Sequence, residues 1–293
     1  MLSRGDRWVV WISYILIGLL TVITVLPFIN IVALSFSSEK AVISGKVGLW
    51  PIEFTTFTYH RVFVGSQLMN AMRNTILLML VGVAINMVMT VLAAYPLSKK
   101  DLRGRPLFLL MIIITMLFGA GMIPHYLLMK ELGLLNSYWG LWLSGALSTY
   151  NMIVLKTFFQ TIPESLTESA EIDGCSEFRM LLQIILPLSL APLATIALFY
   201  AVGWWNSYFN VMLYMTSSSK MTLQVRLRDL VTMVDDDINA IVSSSSEEVR
   251  KYRIAAQSIK ASSIVISTLP ILVVYPFLQR YFVKGVMIGS IKG

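Results

Sequence analysis

Six stretches of this chain are so long and so apolar that a water-soluble fold has no place for them. A helix needs about 20 mainly apolar residues to cross the hydrocarbon core of a bilayer. Segments near 11–36, 74–97, 107–128, 138–159, 184–205 and 262–282 meet that length. A spanning β-barrel would instead show segments of about ten residues with strict alternation, and these runs are continuous. Charged residues make up 13% of the chain and hydrophobic ones 56%, against a charged share of about 25% in soluble domains. The fold class expected is therefore an all-α membrane protein of six transmembrane helices, with residues 1–293 forming a single domain. The first run starts late and is too long for a cleaved leader, since Leu26-Pro27-Phe28 continues directly into further apolar residues. It reads as a retained helix.

Orientation follows from lysine and arginine in short loops. Arg4 and Arg7 precede the first run, Lys99, Lys100, Arg103 and Arg105 follow the second, and Arg280, Lys284 and Lys292 follow the sixth. With six crossings these three regions share one side, which predicts that both termini are cytoplasmic. The net charge of +7 sits in these clusters beside apolar runs, so it reads as an orientation signal and excludes nucleic acid as the partner. One cysteine, Cys175, and two histidines, His60 and His125, support neither a disulfide framework nor a metal centre.

Three pieces lie outside the spans: an outer loop 37–73, an inner loop 160–183 and a long outer loop 206–261. The last contains Asp235-Asp236-Asp237, Ser243 to Ser246 and a charged run from Glu247 to Arg253. That run reads either as a solvated helix face or as a docking surface for an external partner.

The inner loop carries the most information. Thr161-Ile162-Pro163-Glu164 has the spacing of a capping box, with proline in the first turn where its missing N–H costs nothing. A helix is predicted from there to Gly174, a residue able to adopt the left-handed conformation that ends helices. Glu164, Glu168 and Glu171 fall on one face of it, and Ile162, Leu166 and Ala170 on the opposite face. A second helical stretch, 176–186, runs to Pro187. Such an acidic, amphipathic element is either a solvated surface helix or a rigid knob that docks into a cytoplasmic partner.

Glu168-Ser169-Ala170, three residues, Gly174, nine residues and then Ile184-x-Leu186-Pro187 resemble the EAA motif of bacterial ABC importer permeases. The one departure is Ser169 in place of the first alanine, a small-for-small exchange. Asp173 and Phe178, the Trp205-Asn206 pair and the tail from Gly285 to Gly293 are similar to the carbohydrate-importing branch. Six helices and a short N-terminus are similar to its MalG-like subunits. The motif is also close to the polysaccharide-permease group, which includes a subunit of an alginate importer. The resemblance implies the type I ABC importer permease fold in a bacterial inner membrane. It implies a second permease, an ATPase dimer and an extracytoplasmic solute-binding protein as partners, and a sugar or oligosaccharide as substrate. It also implies that Glu164, Glu168, Ser169, Ala170, Asp173, Gly174, Phe178, Leu186 and Pro187 form a coupling element on the ATPase.

No G-x-x-x-x-G-K-[ST] stretch occurs, so no cofactor is expected on this chain, and ATP and Mg are expected on the ATPase subunits. No catalytic residue is expected either: paired histidines, HExxH and clustered carboxylates within spans are all missing from the sequence. A self-sufficient secondary transporter would show charges inside its spans or inverted repeats, and the runs are nearly charge-free. Polar and aromatic groups within or beside the spans are candidates for a substrate path: Asn86, Asn151, Trp204, Trp205, Asn206 and Tyr208, with Thr115 and Thr195 as further polar positions. The competing role for asparagine and threonine is bonding between helices, and for the aromatic rings it is anchoring at the interface.

Overall fold

The computed structural model describes residues 4–65, 68–230, 232, 257–273 and 276. Among these the regular structure is entirely helical. The Asp235-Asp236-Asp237 run, the serines 243–246, the 247–253 run, the tail from Gly285 and the sixth segment past Val273, apart from residue 276, lie outside the described residues. The described residues fall into two compact units, within Met1–Met69 plus Arg226–Ile271 and within Asn70–Val225 plus Leu272–Gly293.

The first unit is led by one helix, Arg4–Ser35. Its Trp8–Ser35 portion is long and apolar enough to cross a membrane. Trp8, Ile15, Leu20, Ile23 and Phe28 are all more than half exposed, an arrangement suited to lipid or a partner helix and not to water. Ser13, Thr21 and Thr24 return their hydroxyls to carbonyls four residues back, so these polar groups cost little in an apolar medium. The loop that follows folds against the end of this helix. Phe36 stacks on Phe54 with centroids 5.2 Å apart and tilts against Tyr59 at 4.8 Å, and Asn30 donates to the Gly48 carbonyl at 2.7 Å. A further apolar helix, Gln257–Val273, buries Ser258, Ser262 and Ser263, small residues that permit close helix packing.

The second unit is threaded by Leu68–Ser98, a 31-residue helix that is also long and apolar enough to span. The other expected spans are not single rods. Segment 107–128 is two helices, Arg105–Leu117 and Met122–Glu131, bent by 109° at the break. Gly121 there has φ +82°, which glycine adopts without strain. Segment 138–159 is likewise divided into Tyr138–Ser144 and Thr149–Phe159, with Ser148 capping the second piece by accepting from the Asn151 amide. Segment 184–205 begins within a helical run, Glu177–Leu188, that turns by 85° into Leu190–Trp205. Pro187 explains the form of that run. Its missing N–H and its ring cannot fit a regular turn, and the preceding residues Leu181–Ile185 widen into a π turn. The Ser189 hydroxyl then takes up the Ile185 carbonyl at 2.6 Å.

Two cores hold this unit. One gathers Met152, Leu155, Met180, Leu181 and Ile196; the other gathers Leu78, Leu141, Trp142, Val211 and Tyr214. Trp204 packs against both.

Candidate functional site

The acidic element of the inner loop forms, but it starts later than the capping box predicts. The helix is Glu164–Ile172, with Pro163 at its N-cap and no side-chain cap. The Thr161 hydroxyl turns back to the Phe158 carbonyl at 2.7 Å, and the Glu164 carboxylate leaves for Lys100 at 2.6 Å. Each half of the expected capping box has thus found another partner. The C-terminal stop forms at the predicted glycine. Gly174 has φ +75°, its amide donates to the Glu171 carbonyl at 3.0 Å, and the Cys175 amide donates to the Ala170 carbonyl at 2.9 Å. This pair of bonds is the Schellman motif. Ala170 is buried and Cys175 packs on the same core, which supplies the apolar contact that usually accompanies the motif.

Two glutamates of the predicted acidic face, Glu164 and Glu171, turn toward basic residues of their own chain, while the third, Glu168, does not. Lys100 pairs with Glu164, while Lys99 lies 3.7 Å from Glu171 and 3.4 Å from Glu177. The Tyr95 hydroxyl donates to Glu177 as well. The hydrogen bond from Lys100 holds the Glu164 carboxyl below the usual carboxylate range, and Glu164 in turn holds the Lys100 ammonium above its ordinary value. Ile162 and Ala170 pack on the core beneath. Pointing outward are Glu168, Ser169, Asp173 and three apolar side chains, Leu166, Ile172 and Phe178, exposed by 44%, 87% and 65%. Leu186 lies partly buried against the core, and Pro187 is exposed. Lys99, Lys100, Tyr95 and Glu177 also belong to this element; sequence alone marks the two lysines only as an orientation signal and gives no sign of the other two.

The substrate-path candidates separate into two groups. Asn86 and Trp204 are brought together: the Trp204 indole Nε1 donates to Asn86 Oδ1 at 2.6 Å, and the fully buried Asn86 passes its own amide to the Gly145 carbonyl. Gly82 makes room for this arrangement, since a Cβ there would fall 2.5 Å from the indole ring. Asn151 and Trp205 are buried. Asn206 is the exposed C-cap of Leu190–Trp205, and the Tyr208 hydroxyl lies 2.9 Å from the Met212 sulfur.

A cavity of about 350 Å³ opens beside Trp204. Gly119 to Met122, at the first helix break, and Ser144 and Gly145, at the second, line it together with His125, Phe209, Asn210 and Tyr214. His125 Nδ1 and the Tyr214 hydroxyl are 3.0 Å apart. The sequence reading missed this cavity, although Gly119, Gly121 and Gly145 inside apolar runs were a legible sign of interruption.

Bent apolar helix pairs stand beside a Schellman-stopped acidic helix paired with Lys99 and Lys100. The family model described as binding-protein-dependent transport system inner membrane component matches residues 102–288. The chain belongs to that family and has its all-helical type I ABC permease fold. It is 42% identical to the polygalacturonan/rhamnogalacturonan transport system permease protein YtcP of Bacillus subtilis over 92% of this chain and 93% of that one. It is 44% identical to Protein LplC of the same organism over 96% and 94%. Among solved structures, a chain from the crystal structure of a bacterial ABC transporter involved in the import of the acidic polysaccharide alginate superposes with a TM-score of 0.85 at 33% identity. That match covers 96% of this chain and 99% of the other.

Proposed function

We propose that this chain is one of two permease subunits of an ATP-driven oligosaccharide importer, and that it takes its driving motion through the Glu164–Pro187 element. In this reading the chain crosses six times, its short basic loops keep both termini in the cytoplasm, and a second permease completes the path. An extracytoplasmic binding protein delivers the substrate. An ATPase dimer, carrying ATP and Mg, supplies the work. The names of the relatives support an oligosaccharide as cargo, with acidic polysaccharide fragments foremost among them.

The observation that carries this reading is the packed and stopped form of the inner element, with Ile162, Ala170 and Cys175 on the core beneath it. The Schellman stop at Gly174 fixes Glu164–Ile172 against the helix that follows, and Lys99 and Lys100 fix it against the end of Leu68–Ser98. A short helix stopped at Gly174 and packed through Ile162 and Ala170 on the core can pass a push to the helix that follows it. Its outward apolar side chains, Leu166, Ile172 and Phe178, suit a cleft on the ATPase, with Glu168, Ser169 and Asp173 at the rim. ATPase closure then moves the lever and switches the membrane helices between inward- and outward-facing states.

The test replaces Cys175 with serine and Glu168 with cysteine in the assembled, transporting complex. A bifunctional thiol reagent is expected to join this chain to a cysteine in the ATPase cleft, with a yield that changes on nucleotide binding. An active complex that gives no such product at any ATPase position would overturn the docking.

A further inference from the structure

We propose that the cavity where the two helix breaks meet is a saccharide subsite of this permease, holding one sugar ring against Trp204 by neutral hydrogen bonds and aromatic contact. The inference rests on the reading of the chain as an oligosaccharide permease and gives that reading a location. It begins from the backbone. Interrupted helices within a membrane leave polar main-chain groups without helical partners, and these are tolerated only where they line a cavity or pack in protein. Here Phe118–Gly121 and Gly145–Ser148 interrupt neighbouring segments, and Gly119, Gly121 and Gly145 all border the same space.

The lining matches the chemistry of a sugar. A pyranose has faces of C–H bonds and a rim of hydroxyls. Trp204 and Tyr214 offer rings to the first, while Ser144, Asn210 and His125 offer donors and acceptors to the second. Among the described residues no aspartate, glutamate, lysine or arginine borders the cavity, so the recognition proposed there is by neutral groups. Its volume of about 350 Å³ lies at the small end of the ~300–1,000 Å³ typical of small-molecule sites. An acyl chain or an apolar partner helix in the same place would leave the polar groups unmatched, at a cost.

The rings are also preorganised. The Trp204 indole is fixed at its nitrogen by Asn86 and backed by Gly82. Tyr214 is tied to His125 and lies parallel to Tyr126 at 6.3 Å. Groups already fixed before a ligand arrives lose little freedom on binding it.

The experiment uses the assembled importer in proteoliposomes, with trigalacturonate, trimannuronate and arabinotriose offered as cargo. In a background where Cys175→Ser removes the native thiol, Ser144→Cys or Asn210→Cys reports on the cavity, and Ser165→Cys on the inner helix serves as the control. Whichever sugar is transported is expected to slow maleimide modification of both cavity cysteines severalfold, equally at low and high salt, and to leave the control unchanged. Trp204→Leu is expected to raise the transport KM about tenfold with a smaller change in kcat, and Trp204→Phe to restore part of the loss. Transport of a sugar with no protection at either cavity position, or with an unchanged KM in Trp204→Leu, would overturn the subsite while leaving the permease reading intact. Transport of none of the three would remove the oligosaccharide reading and this inference together.

Discussion

Single residues decide the local geometry at two glycines, and for different physical reasons. At Gly174 there is open space for a side chain, but the φ of +75° is the left-handed conformation that L-residues resist. A β-branched residue there faces about 1–2 kcal/mol of backbone strain, enough to unwind the Schellman stop. Gly174→Val is therefore expected to leave the complex assembled and its ATPase active, with fewer sugars moved per ATP hydrolysed. Parallel measurement of hydrolysis and uptake checks this, and an unchanged ratio would count against the lever. At Gly82 the backbone is ordinary and the obstacle is steric. A Cβ would lie 2.5 Å from the Trp204 ring, so Gly82→Ala must push the indole away from Asn86. The fully buried Asn86 then loses a partner, at a cost of about 1–3 kcal/mol. The expected outcome is a lower Tm of the purified subunit, read by the near-ultraviolet signal of its tryptophans. A mutant Tm equal to the parent's would show that the ring shifts freely.

At the scale of elements, the inner helix was the most legible part of the chain. Its acidic face, its glycine stop and its proline boundary all follow from local rules that act within a few residues. Its start was not legible, because Thr161 and Glu164 could each satisfy themselves elsewhere. The choice of Lys100 by Glu164 depends on a loop more than 60 residues earlier in the chain. Spans were legible as apolar segments but not as shapes: hydropathy cannot tell a straight helix from two pieces meeting at 109°. The Trp204–Asn86–Gly145 chain was half visible, since each polar residue stood out but nothing local indicated which would meet. The Lys100–Glu164 pair has its own pH signature. Glu164 has its carboxyl lowered on folding, so its contribution is complete above the usual carboxylate range and is lost as pH falls through the lowered value. Lys100 is raised, so its share is complete below the usual lysine range and disappears only above it. Across the neutral range the pair is thus intact. Because both groups are exposed, its contribution is small and screened by salt. Charge reversal tests it: Lys100→Glu is expected to lower transport per ATP at low salt, and adding Glu164→Lys to recover most of the loss. Failure of the double variant to recover would mean that the lysine serves some other contact.

For the molecule as a whole, the decisive quantity is the number and direction of its membrane crossings. Among the described residues, two helices, Trp8–Ser35 and Leu68–Ser98, are long and apolar enough alone, and the two bent pairs raise this to four. The Tyr138–Phe159 pieces are each too short to span unaided, and the helix from Gln257 is described only as far as Val273. Six crossings therefore require the broken segments to act as spans whose interruptions are shielded by neighbouring helices, as the burial of Asn86 and Trp142 beside the breaks suggests. The basic clusters before the first segment and after the second provide an independent constraint, because translocating four closely spaced cations is costly. If both ends of the chain lie inside, then Arg103, in the loop after the second span, must share the cytoplasm with Ser165. Ser44 and Ser219, at the far ends of their spans, must face out. Cysteine at each position in a Cys175→Ser chain, treated with a membrane-impermeant maleimide, separates the possibilities. Intact spheroplasts are expected to label Ser44→Cys and Ser219→Cys only, and inverted vesicles to label Arg103→Cys and Ser165→Cys only. Labelling of Ser219→Cys and Ser165→Cys from the same side would mean that the bent pair ending at Trp205 is a re-entrant loop and not a crossing. The chain would then have an odd number of spans, and its termini would lie on opposite faces.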